Sequence, residues 1–161
     1  MRRPNIWARD KRNLGTWERP QSGYLKFNVN GSARGQLGSA GIGGVLRDDC
    51  RNIKLFFSKH IGEANLNKVE LLAIKEAFLF FCALDNYNNK GLITISSNVV
   101  HWSNNPESCP WILRRIIMQI ESLKARLTSW NVLHINREQN DLADGLAKAG
   151  VERDNNLVVM Y

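Results

Sequence analysis

A polar side chain, Asn30, stands where a predicted strand runs into a glycine-rich turn. Residues 25–30 alternate between apolar and polar side chains, which predicts a strand with one buried face. Closely spaced glycines follow it, namely Gly31, Gly35, Gly38 and Gly41. Such a turn lets the backbone approach another group closely, and a polar residue beside it is well placed for chemistry. Because Asn30 is an amide, it can offer a cation an oxygen but no negative charge.

Two carboxylates lie near the starts of predicted helices. Residues 67–84 carry apolar side chains at helical spacing, which predicts a largely buried helix with Glu70 in its first turn. Residues 140–148 predict a short helix that is capped by Asn140 or Asp141, contains Asp144 and is ended by Gly150. A carboxylate near a helix N-terminus is also stabilised by the helix dipole, so a structural role stays open for Glu70.

The other elements predict an α/β sheet that could position these side chains. Residues 41–47 and 53–61 are predicted strands, and short links join them to the first strand in an antiparallel meander. Residues 92–96 and 130–135 predict two more strands. Between them lie a predicted short helix at residues 98–103 and an amphipathic helix that begins near Pro110. This order of elements is typical of a mixed sheet with helices on its faces.

The two ends of the chain differ in composition from its middle. Residues 1–22 are basic and polar and are interpreted as a leader, with Trp7 and Trp17 expected to pack on the edge of the domain. The domain is predicted to extend over residues 23–150. Residues 151–161 are predicted to form an irregular C-terminal tail.

Charge favours an anionic partner. The chain has 161 residues, of which 43% are hydrophobic, so it is long and apolar enough for one domain with a core. Its net charge is +7 and its pI is about 9.6. This excess suits nucleic acid, although a solvated basic surface explains it equally well. The same two interpretations apply to the basic residues of the predicted amphipathic helix, which are Arg114, Arg115, Lys124 and Arg126.

Cysteine usage and the apolar runs bear on the compartment. The three cysteines, Cys50, Cys82 and Cys109, lie far apart and form no CxxC pair, so neither a zinc site nor a disulfide framework is indicated. Reduced thiols are typical of nuclear or cytoplasmic proteins, which is the expected localisation. No signal peptide is visible, and the longest apolar run, residues 77–84, is too short to span a membrane.

Four motifs, in this order along the chain, carry a family resemblance. They are Trp17 and Pro20 with residues 23–32, residues 41–47, residues 67–77, and residues 134–147. Together they resemble the type-1 ribonuclease H fold, and in particular the plant ribonuclease H-like domains derived from reverse transcriptases of non-LTR retroelements. The resemblance covers residues 17–150. It implies a five-stranded mixed sheet flanked by helices.

The resemblance implies hydrolysis of the RNA strand of an RNA–DNA hybrid by two Mg²⁺ ions. In that family, acids from the first strand, first helix, fourth strand and last helix hold the metals. The first-strand position corresponds to Asn30, whereas Glu70 and Asp144 match the two helix positions. The fourth-strand position corresponds to Ile95, or to Ser96 or Ser97 if the strand carries a small deletion. His134 matches a histidine that assists turnover in some relatives, although a structural histidine is equally consistent.

These matches predict a nucleic-acid-binding domain with a degenerate metal site. The family's RNA contacts correspond to Gly31, Ser32, Arg34, Asn67 and Asn140. With two acids missing, Glu70 and Asp144 are expected to bind Mg²⁺ weakly or not at all, and cleavage of hybrid is expected to be impaired. Two alternatives stay open: an active RNA–DNA hybrid ribonuclease with an altered metal site, and a protein-interaction module of a domesticated retroelement fragment. No membrane partner is expected.

Overall fold

The computed structural model describes residues 17–84 and 90–161, which form a six-stranded sheet with helices on both faces. The strands are β1 (Tyr24–Ala33), β2 (Gly38–Arg47), β3 (Ile53–Ala64), β4 (Lys90–Ile95), β5 (Trp130–His134) and β6 (Leu157–Met160). Their spatial order is β5-β4-β1-β2-β3-β6. Strands β1, β2 and β3 form the predicted antiparallel meander, and β4 and β5 extend the sheet in parallel with β1. The predicted mixed α/β architecture is therefore confirmed.

Within residues 17–84 and 90–161, four α-helices cover the sheet. They are α1 (Leu66–Ala83), α2 (Val100–Asn104), α3 (Arg114–Lys124) and α4 (Asp141–Gly150). Helix α1 begins at a side-chain cap in which Asn65 accepts a hydrogen bond from the Lys68 amide. Short 3₁₀ turns at Pro106–Ser108, Trp111–Leu113 and Arg137–Asn140 connect the later elements. The helices predicted from apolar spacing are thus present, with small shifts at their ends.

Alternate residues of the central strands face opposite layers. Phe27 and Val29 of β1 lie in the apolar core, which also contains the buried side chains of α1 and α3. A Cβ added at Gly44 would meet Phe27, Val29 and Phe57, whereas one added at Gly43 would lie 2.4 Å from the Ala147 backbone nitrogen. Because successive strand residues point to opposite faces, α4 packs on the face opposite the main core.

Helix α4 rests directly on the backbone of β2. A Cβ at Gly41 would lie 2.5 Å from the Ala147 carbonyl oxygen, and a Cβ at Gly150 would lie 2.6 Å from the Lys59 carbonyl oxygen. No side chain fits in that space, so glycine is required on both surfaces. Part of the glycine-rich stretch therefore serves the packing of α4.

The C-terminal end differs from its sequence prediction, whereas Trp17 packs on the domain as predicted. The predicted irregular tail contains β6, which pairs antiparallel with β3 and brings Tyr161 to within 6.3 Å of Phe56 between ring centroids. The expected leader includes Trp17, whose side chain is half-buried against the sheet. Trp7 and the rest of residues 1–16 lie outside the described residues, as do residues 85–89 of a predicted loop. Among the residues described, no helix is both long and apolar enough to cross a bilayer.

Candidate functional site

The end of β1 places Asn30 against α4. Its side-chain nitrogen, Nδ2, donates to Asp144 Oδ1 at 3.1 Å, and its oxygen, Oδ1, accepts from the Gly31 amide at 2.9 Å. Asn30 is buried, whereas Asp144 keeps partial access to solvent. A carboxylate needs donors, so Asp144 fixes the orientation of this amide. The oxygen that could face a cation thus already accepts a hydrogen bond from the backbone.

Asp144 carries a second partner that sequence reasoning missed. Lys148 Nζ lies 2.9 Å from Asp144 Oδ2, and its side chain is exposed. The two residues are four apart on α4, a spacing that places them on one helix face. The signal was present in the sequence as this spacing. Together, Asn30 and Lys148 engage both oxygens of Asp144.

Glu70 lies near the start of α1 and is paired with a serine. Ser97 Oγ donates to Glu70 Oε1 at 2.6 Å, and Ser97 Oγ itself accepts from the Val99 amide at 3.2 Å. Both Glu70 and Ser97 are buried. Burial raises the pKa of the Glu70 carboxyl above its usual range, and the hydrogen bond from Ser97 opposes that shift only in part.

Of the three residues that match the family's acid from the fourth strand, Ser97 is the one that pairs with Glu70. Ile95, the first assignment by sequence position, has its side chain fully buried in the apolar core. Ser96 is half-buried. Ser97 follows β4 and is the residue whose side chain reaches Glu70. A neutral hydroxyl therefore stands beside the buried carboxyl group.

Gly31 allows the two pairs to lie close together. A Cβ at this position would be 2.6 Å from Val69 Cγ1 and 3.0 Å from the Glu70 amide nitrogen. The backbone of β1 thus approaches the first turn of α1 directly after Asn30. We call Asn30, Asp144, Lys148, Glu70 and Ser97 the polar cluster.

The other predicted site residues lie around this cluster with different roles. Arg34 forms an exposed ion pair with Glu152, Asn67 is exposed in the first turn of α1, and Ser32 is half-buried in β1. His134 is exposed at the end of β5, where it is in register with Ile95. It lines a different surface depression, together with Lys26 and Thr94. The structure therefore does not join His134 to the polar cluster.

Asn140 has a structural role that differs from its predicted contact with RNA. Its side chain is 1% exposed; Oδ1 accepts from Asn28 Nδ2 at 3.2 Å and Nδ2 donates to the Val29 carbonyl at 2.9 Å. It precedes α4 but forms no side-chain cap there. Both ends of the amide are used inside the protein, and the RNA contact of this side chain stays a prediction.

The side chains present do not fit a pair of Mg²⁺ ions. Hard divalent cations require several anionic oxygens, and two neighbouring cations require more. The polar cluster offers the carboxylates of Glu70 and Asp144, and donors from Ser97, Asn30 and Lys148 occupy oxygens of both. An ammonium 2.9 Å from Asp144 also opposes a cation there.

A second acidic group, Asp48 and Asp49 with Cys50, lies in the turn between β2 and β3. Asp48 Oδ1 accepts from the Cys50 and Asn52 amides at 2.9 and 2.8 Å, and Asp49 Oδ2 accepts from the Gly23 amide at 2.9 Å. The backbone donors lower the pKa of the Asp48 carboxyl. These carboxylates hold the turn together, away from the polar cluster.

Comparison with known proteins gives the family. The chain matches the model of the reverse transcriptase-like family over residues 28–150. It is 30% identical over 139 residues to an Arabidopsis thaliana protein provisionally named as a ribonuclease H protein, a match that covers 86% of this chain and 22% of that protein. The chain thus spans about a fifth of the length of this curated relative.

Solved structures share the fold. RNase H1 of the halophilic archaeon Halobacterium salinarum NRC-1 has a TM-score of 0.73 at 23% identity, over 80% of this chain and 98% of that one. LC11-RNase H1, isolated from compost, has a TM-score of 0.75 at 25% identity, over 81% and 96%. Its complex with an RNA/DNA hybrid has a TM-score of 0.73 at 25% identity, over 80% and 96%. The resemblance found in the sequence is confirmed: this chain belongs to the reverse transcriptase-like family and has the ribonuclease H fold.

Proposed function

We propose that this chain binds nucleic acid, RNA–DNA hybrid or RNA, with little or no ability to cleave it. The observation that carries the proposal is the polar cluster. By the sequence resemblance, Asn30 and Ser97 match two of the four positions where the family's enzymes need acids. Glu70 and Asp144 are already hydrogen-bonded within the protein. The fold is retained while the charge that would bind metal is reduced.

The charge of the polar cluster supports the proposal that two-metal catalysis is inefficient. Two Mg²⁺ ions bring four positive charges, which Glu70 and Asp144 could offset by two at most. Protonation of Glu70 is also favoured by its burial, because burial raises the pKa of this carboxyl. Loss of the charge of a metal ligand costs several kcal/mol of metal binding and transition-state stabilisation. Hydrolysis through two metals is therefore expected to be severely impaired.

Nucleic-acid binding does not require that charge. The chain has a net charge of +7, which favours a polyanion, and fewer acids near the polar cluster mean less repulsion of phosphate. Gly31, Ser32 and Asn67 lie next to the polar cluster at positions that match the family's RNA contacts. The compost enzyme, which shares this fold, was solved with an RNA/DNA hybrid. We expect binding through phosphates and shape rather than through base sequence.

A paired assay tests both parts of the proposal. One arm measures the binding of a labelled RNA–DNA hybrid at increasing salt, with duplex RNA and duplex DNA as competitors. The other arm measures cleavage of the same hybrid in Mg²⁺ or Mn²⁺. The double variant Glu70→Gln, Asp144→Asn serves as the control, because it removes both carboxylates while keeping side-chain size.

Salt-sensitive binding without cleavage is the expected result. Cleavage by the natural chain that disappears in the double variant would contradict the impairment and favour an active ribonuclease with an altered metal site. Absence of both binding and cleavage would contradict the proposal as a whole. That outcome would favour the protein-interaction module of a domesticated retroelement fragment.

A further inference from the structure

A second group of polar side chains lies next to the polar cluster, along the same face of β1. Trp17 Nε1 donates to Asn28 Oδ1 at 2.7 Å, and Asn28 Nδ2 donates to Asn140 Oδ1 at 3.2 Å. Asn140 in turn donates to the Val29 carbonyl of β1. We call Trp17, Asn28 and Asn140 the anchor chain. It joins a segment that precedes β1 to the residue directly before α4.

The two asparagines of β1 and their two hydrogen-bond partners have matching spacings. Asn28 and Asn30 are two residues apart on one face of β1, a distance of about 6.8 Å. Their partners are Asn140, the residue directly before α4, and Asp144, four residues later, a separation of about 6 Å at the helical rise. The two asparagines of the strand therefore each meet one of two residues about one helical turn apart. Both hydrogen bonds form in the same register of α4 beside β1.

Because Asn28 and Asn140 of the anchor chain are buried, their hydrogen bonds favour one register of α4 on β1. Asn28 is 3% exposed and Asn140 is 1% exposed, so an unpaired amide at either position would lose its hydrogen bonds without replacement by water. A shift of α4 by one residue along β1 would break both bonds of Asn140 together. Buried polar groups with all partners satisfied are known to fix one register among several.

Trp17 holds the outer end of the chain. Two cations lie over its indole ring, with Lys26 Nζ at 5.2 Å and Arg47 Cζ at 4.7 Å from the ring centroid. Lys26 also donates to the Glu18 carbonyl at 2.7 Å, which ties the segment down beside Trp17. These contacts hold the ring on the sheet, where its N–H donates to Asn28. Trp17 lies outside residues 28–150, over which the family model matches.

We infer that Trp17 and Asn28 are positioning residues for the polar cluster: through Asn140 they set where α4 holds Asp144 against Asn30. The consequence for nucleic-acid binding rests on the proposed function, but the placement of Asp144 does not. The segment before β1 is thus part of the site, although it touches none of the residues of the polar cluster in the hydrogen bonds described.

The test compares two conservative variants by NMR and by binding. Trp17→Phe keeps an aromatic ring near Lys26 and Arg47 and removes the N–H donor together with the five-membered ring that carries it. Trp130→Phe is the matched control, because Trp130 packs on Phe78 in the core and is remote from α4. The readouts are the side-chain amide resonances of Asn30, the backbone resonance of Asp144, and the affinity for an RNA–DNA hybrid measured on the folded fraction.

We expect Trp17→Phe to shift the Asn30 and Asp144 resonances and to weaken hybrid binding by about threefold to tenfold. Trp130→Phe should change stability but leave those resonances and the affinity unaltered. Shifts confined to Asn28 and Asn140, with Asn30 and Asp144 unchanged, would overturn the inference. If no protein binds hybrid, the proposed function fails, and the resonances alone still decide the inference.

Discussion

Two asparagines on one face of β1 show how the surroundings decide the role of a side chain. Asn28 is enclosed, and its partners Trp17 and Asn140 are neutral. Asn30 is also buried, yet it faces the charged pair of Asp144 and Lys148 at the edge of solvent. The first arrangement specifies how β1 and α4 fit together. The second keeps a polar, partly accessible surface where the family's enzymes carry out chemistry.

The largest effect is expected when the missing acids of the polar cluster are restored. The double variant Asn30→Asp, Ser97→Asp places carboxylates at both neutral positions of the polar cluster. Because four acids could then offset two Mg²⁺ ions, hybrid cleavage should rise by orders of magnitude from its basal level. Gel analysis of labelled hybrid in Mg²⁺ measures it.

The single variant Asn30→Asp is the control for that experiment, since the position of Ser97 stays neutral. Strong cleavage by the single variant would show that the placement of the fourth acid at Ser97 is wrong. Adding Glu70→Gln to the double variant should abolish the gained activity.

Breaking the hydrogen bond between Asn28 and Asn140 should lower the stability of the fold. Asn28→Leu or Asn140→Leu leaves the other amide buried without its partner, so each is expected to lower the free energy of unfolding by about 1–3 kcal/mol. Urea unfolding monitored by circular dichroism measures the loss. The double variant should cost less than the sum of the two, because neither amide is then left unpaired by the other. Strict additivity would mean that the two side chains are not coupled.

Glu70→Gln should raise stability at neutral pH. The folded state raises the pKa of this carboxyl, so the folded protein holds a proton that the unfolded chain releases. Stability from this group is therefore complete below the ordinary glutamate pKa and falls as the pH rises through the higher pKa of the folded state. In the variant, this fall of stability with rising pH should be absent. Thermal melts in a series of buffers from acid to neutral pH measure it. An unchanged pH profile would mean that Glu70 ionises as freely as in water.

The smallest effect on stability is expected from the exposed ion pair between Lys148 and Asp144. Lys148→Gln removes an exposed partner of Asp144, and exposed ion pairs four apart on a helix contribute about 0.3–0.5 kcal/mol. The thermal midpoint should therefore hardly move. A large loss of stability would show that Lys148 is needed to neutralise Asp144 in the folded protein.

Local patterns in the sequence predicted the elements well but only part of the site. Apolar spacing gave α1 and α3, and alternation gave β1, because the buried faces of these elements are regular. The prediction of an irregular tail missed β6, whose four residues pair with β3 and carry little pattern of their own. Short edge strands owe their structure to the neighbouring strand, which the local sequence does not show.

The site was partly predictable for a similar reason. Asn30, Glu70 and Asp144 follow from motifs, and Lys148 follows from its spacing to Asp144. Ser97 could not be separated from Ile95 and Ser96 by position, because one residue of shift reverses which face a strand residue occupies. Asn140 matched a binding position, yet its role depends on Asn28, which lies 112 residues away in sequence.

The contact of α4 with the glycines of β2 has a consequence for how this protein can change over generations. Main-chain atoms contact main-chain atoms at Gly41, Gly43 and Gly150. The position of α4 on the sheet therefore does not depend on the charges of the polar cluster. Substitutions in the polar cluster can then accumulate without displacing the helix that carries Asp144. A lineage with this packing can lose a chemical activity while its fold is inherited intact, and a few substitutions could restore the activity.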